Sequence, residues 1–152
     1  HLLALYERSD PASADVELVV GPDGRAQTLR AHSCVLAARS GFFARHFSPQ
    51  KAVPKKTSAQ RGGAKRRLAT RRLRFNAESP LAVDAILAFC YADVVPAARL
   101  AKIVDAGAPA VANLLDAARR FDVHGLPEYL DAALVATPRK RRPKRDDDDD
   151  DD

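Results

Sequence analysis

A chain of 152 residues with 46% hydrophobic content has room for one domain of ordinary size, with a core that needs no disulfide staples. Its formal charge of +5 comes from 25 Lys and Arg against 20 Asp and Glu. No window approaches the roughly 20 apolar residues of a membrane span and no leader-like apolar core sits near the amino end, so a membrane partner is not expected and a reducing intracellular setting, cytoplasmic and/or nuclear, is. The chain starts at His1 and holds no Met, so it reads as a fragment or an incomplete gene model, which leaves a lost targeting peptide open.

Residues 1–14 read as an N-terminal arm, with Leu2, Leu3, Leu5 and Tyr6 in part of a helix or an extended lead-in. Asp15 to Val20 is a β-rich run, Gly21-Pro22-Asp23-Gly24 has turn chemistry, and Ala26 to Ala31 resumes an extended pattern. Ser33 then caps a helix carrying Val35, Leu36 and Ala37, and Ser40 caps a second carrying Phe42, Phe43 and Phe47. Residues 48–70 hold few large apolar side chains and several Pro and Gly breakers, so they are expected to form a basic, disordered insertion. A strand resumes at Arg71 to Phe75, where Leu73 and Phe75 alternate with Arg72 and Arg74.

Ser79-Pro80 opens a helix with Val83, Ile86, Leu87 and Cys90 at helical spacing and Phe89 beside them. Val94 to Ile103 is ambiguous between strand and helix, with Pro96 as a breaker. Pro109 starts a helix with Val111, Leu114, Leu115 and Ala118 on one face. Gly125-Leu126-Pro127 turns into a last helix holding Tyr129, Leu130, Ala133 and Leu134. The pattern is α+β: a small, mainly antiparallel sheet with paired helices. Residues 138–152 form a low-complexity tail, basic and then poly-Asp, expected to be disordered.

The charge is unevenly spread. No Asp or Glu occurs between Arg25 and Ala77, where Lys and Arg occur fourteen times. The seven Asp from Asp146 to Asp152 lower the formal charge from +12 to +5. Lys55, Lys56, Lys65, Arg66, Arg67, Arg71 and Arg72 are the candidate anion-binding residues. The ligand reads as nucleic acid, an acidic protein segment or lipid headgroups, and the alternative is a solvated loop that only keeps the protein soluble. No aromatic residue interleaves the loop for stacking on bases, and no helix-turn-helix or zinc finger accompanies it. A third reading has the Asp tail folding back to mask the basic loop. Arg139, Lys140, Arg141, Arg142, Lys144 and Arg145 resemble a single-cluster nuclear localisation signal.

No catalytic constellation emerges. His1, His32, His46 and His124 share no metal-ligand spacing with Cys34 and Cys90. Both cysteines read as buried thiols, and His32 as a structural residue hydrogen-bonded locally. Gly62-Gly63 before Lys65 lacks the rest of a phosphate-binding loop. No enzyme activity, cofactor or metal is expected.

Three blocks carry a family resemblance: Asp15-Val16 with Ala31 to Ser40 and Phe43 and Phe47; Phe89-Cys90-Tyr91-Ala92-Asp93; and Leu114 to Phe121 with Leu126 and Leu130. In order and spacing they resemble the BTB/POZ family over residues 15–137. The resemblance implies homodimerisation through the amino-terminal arm and first helices, and partner recruitment. It points to a substrate adaptor of a cullin-RING ubiquitin ligase; the alternative is a nuclear, transcription-regulating protein whose basic segments hold DNA or RNA. It places Asp15, His32, Leu36, Phe43 and Phe47 in the core or dimer seam, and Phe89 and Tyr91 facing a partner. At position 33, where many members carry Arg, this chain has Ser33, so the buried opposite-charge pair of corepressor-recruiting members is absent.

Overall fold

The computed structural model describes residues 2–8, 13–48 and 70–136. Val16–Val20 forms β1 and Gln27–Ala31 forms β2. At the turn between them Gly21 holds φ +105, a conformation cheap only without a Cβ, and donates its N–H to the Phe75 carbonyl at 2.9 Å. β1 pairs antiparallel with β2, Val16 opposite Ala31, and parallel with β3 (Arg71–Phe75), Val16 opposite Arg71. The order is β2-β1-β3. As the central strand, β1 buries Val16, Leu18 and Val20 on one face and covers Val19 on the other. The α+β class and the small sheet hold, but the sheet is mixed instead of mainly antiparallel. The reason is connectivity: β3 is reached only through α2 (Ser33–Arg39), α3 (Gly41–Phe47) and the residues after them, a crossover that returns the chain in the direction of β1.

The helical half surrounds α4 (Pro80–Ala92). Ala82, Val83 and every residue from Ala85 to Tyr91 are buried on it. The expected stripe was narrower because periodicity describes a helix covered on one side. This one is packed by α1 (Leu2–Arg8), α2, α5 (Ala97–Asp105), α6 (Ala108–Arg120) and β2. The ambiguous segment is helix α5: Leu100 and Ile103, three apart, are both buried on it. Pro96 begins it instead of breaking anything, its carbonyl accepting from the N–H groups of Arg99 and Leu100. Helix α7 (Leu126–Ala136) closes the described chain.

Two expected caps differ. Ser33 is inside α2, and His32 holds the cap position without a side-chain cap bond. Ser79 caps α4 by position but not through its hydroxyl. Ser40 is the cap expected for α3: its hydroxyl accepts the Phe43 N–H at 3.2 Å and donates to the Phe121 carbonyl.

Candidate interaction surface

What α2 lacks in its own cap is supplied from β1's start. The Asp15 carboxylate accepts the Ser33 N–H at 2.7 Å through Oδ1 and the Ser33 hydroxyl through Oδ2. An anion at a helix start also meets the positive end of the peptide dipoles. Burial alone would raise the Asp15 pKa. The bonds from the Ser33 side chain and backbone, with a smaller contribution from the nearby His32, outweigh it and hold the carboxyl below its ordinary value. A lowered folded-state pKa means stabilisation that is complete above the unfolded value, about 3.9, and is lost as pH falls through the folded one. Asp15→Asn is therefore expected to lower stability by about 2 kcal/mol at pH 6 and by progressively less on acidification below pH 4. Urea unfolding of both proteins across that range is the measurement; a deficit independent of pH contradicts the charged-cap account.

His32 is structural, but its bonds are not local. The Tyr91 hydroxyl accepts the His32 N–H at 2.8 Å and lies 2.7 Å from Nδ1, from 59 residues away. The ring's Nε2 lies 3.3 Å from the Ser13 hydroxyl. Tyr91 in turn stacks on Tyr6 of α1 at 5.2 Å. Tyr6 donates to Asp84 Oδ1 at 2.6 Å, Asp84 Oδ2 accepts from Arg99 Nε at 2.8 Å, and the Arg99 guanidinium lies 5.5 Å over the Tyr6 ring. Burial first, and then the bond to Asp84, pushes the Tyr6 hydroxyl far above its usual range, so it stays protonated and donating. These contacts pin α1 to α4 and α5. Sequence reasoning missed the lock because its members lie far apart in the chain and no local pattern links them.

Leu36, Phe43 and Phe47 all lie in the core, at 0%, 1% and 8% exposure. Phe43 stacks between Phe47 (5.6 Å) and Phe121 (5.4 Å), and Phe42 meets Phe43 edge-on at 5.2 Å. Phe89 and Tyr91, expected to face a partner, are buried within the chain. Both are 4% exposed, because the Ala85 to Tyr91 stretch of α4 is buried on every side; Phe89 meets Tyr129 at 5.2 Å. Of the two cysteines expected to be buried, only Cys90 is, and burial pushes its thiol up to about 12, with Arg39 pulling the other way. Cys34 is exposed because it lies two residues, about 200° of helix rotation, from the core-facing Leu36. Arg71 and Arg72 stand on β3. Lys55, Lys56, Lys65, Arg66, Arg67 and the cluster from Arg139 to Arg145 lie outside the described residues, as do the insertion between 49 and 69 and the acidic tail.

Among the described residues, five large apolar side chains are exposed: Leu2, Leu5, Leu81, Val94 and Val135. Leu2 and Leu5 ride on α1, and Leu81 on the helix α1 packs against. No group of His, Cys, Asp and Glu able to hold a metal ion occurs among the described residues, and no helix among them is long and apolar enough to cross a membrane.

The BTB domain of zebrafish PATZ1, a solved structure, is similar to this chain at a TM-score of 0.56 and 22% identity, over 90% of this chain and 89% of that one. At that identity the likeness carries the fold. No curated protein matches the chain. The family model for the BTB/POZ domain matches residues 6–137, which takes in both the Tyr6 anchor and the last helix. A match over most of the chain, with the small sheet, the α2–α3 pair and the enclosed central helix in place, makes this chain a member of the BTB/POZ domain family, a family of protein–protein interaction modules.

Proposed function

We propose that this domain is a homodimerising adaptor whose self-association face is α1 together with the amino end of α4. The observation that carries the reading is the concentration of exposed large apolar side chains there: Leu2 at 54%, Leu5 at 38% and Leu81 at 42%. Clustered exposed apolar groups stay favourable in water only when something covers them, and a second copy presenting the same face is self-complementary. The pinning of α1 by Tyr6 supports this reading, since a rigid helix loses little entropy on association. Leu5→Asp and Leu81→Asp are each expected to shift the solution mass to that of a monomer with little change in thermal midpoint. Val94→Asp, at a comparably exposed site elsewhere (43%), leaves the mass unchanged. Dimers persisting in both charged variants sink the proposed face.

The narrower role, recruitment of substrates to a cullin-RING ubiquitin ligase, is supported by family membership. Tyr91, one of the two aromatics expected to face a partner, gives it no support because its ring is buried and its hydroxyl is engaged by His32. Capture of a cullin scaffold that survives moderate salt supports the adaptor. Absence of capture, with DNA binding whose log affinity falls steeply with log salt, favours the nuclear nucleic-acid alternative.

A further inference from the structure

We draw no further inference here: the strongest candidate, the small recess between α1 and the edge strand β2 lined by Tyr6, Thr28, Leu29 and Arg30, carries nothing because residues 9–12, which follow α1, lie outside the described residues and nothing in the structure shows what covers it.

Discussion

Phe43→Ala lowers the unfolding free energy by about 3–5 kcal/mol, the largest single loss expected in this domain. The ring is 1% exposed and lies between the stacked rings of Phe47 and Phe121, with Phe42 at its edge. Phe121 also meets Phe75 of β3 at 5.2 Å, so one aromatic cluster joins the α2–α3 pair, the sheet and the end of α6. Removing its middle member leaves a cavity that three separately anchored elements cannot close, and the cost of a cavity grows with what fails to collapse. Urea unfolding followed by circular dichroism gives the number. A loss under about 1 kcal/mol means the ring is not enclosed as described.

Tyr6→Ala is the second. It removes a side chain 5% exposed, its stacking on Tyr91, its bond to Asp84 and the Arg99 contact, for an expected loss of about 3 kcal/mol. Asp84 and Arg99 keep each other as partners, so no buried charge is orphaned and the cost is chiefly packing. Because Leu2 and Leu5 ride on the same seven-residue helix, the variant is also expected to weaken self-association. A helix of that length has no stability once undocked. Tyr6→Phe separates the two effects: it loses only the hydroxyl bond, about 1 kcal/mol, and keeps α1 in place. Proteolysis within residues 2–8, fast in Tyr6→Ala and slow in Tyr6→Phe, reports the undocking.

The fold was legible where local chemistry decides it. The Gly21–Gly24 turn, the alternation at Arg71–Phe75, the Ser40 cap and Pro80 at the first turn of α4 all act over a few residues, and the structure puts elements there. Parallel pairing of β3 was not legible, because it depends on which side of β1 a crossover delivers the chain. Pro96 was misleading: a proline reads as a breaker, yet costs nothing at the head of a helix, where its missing N–H has no partner to lose. The interaction surface was less legible still. Aromatic type suggested Phe89 and Tyr91 as anchors, but rings fill cores as readily as interfaces, and only packing on every side of α4 tells the two apart. The charged-cap role of Asp15 and the Tyr6–Asp84–Arg99 lock join residues distant in sequence, which no period or spacing can encode.

The most direct test of the account is the solution mass of the whole chain by light scattering at low and at moderate salt. A self-association held by Leu2, Leu5 and Leu81 is apolar, and salt screens charges without weakening burial. The account predicts twice the monomer mass at both salts. A monomer at both, at concentrations well above the micromolar range, contradicts it.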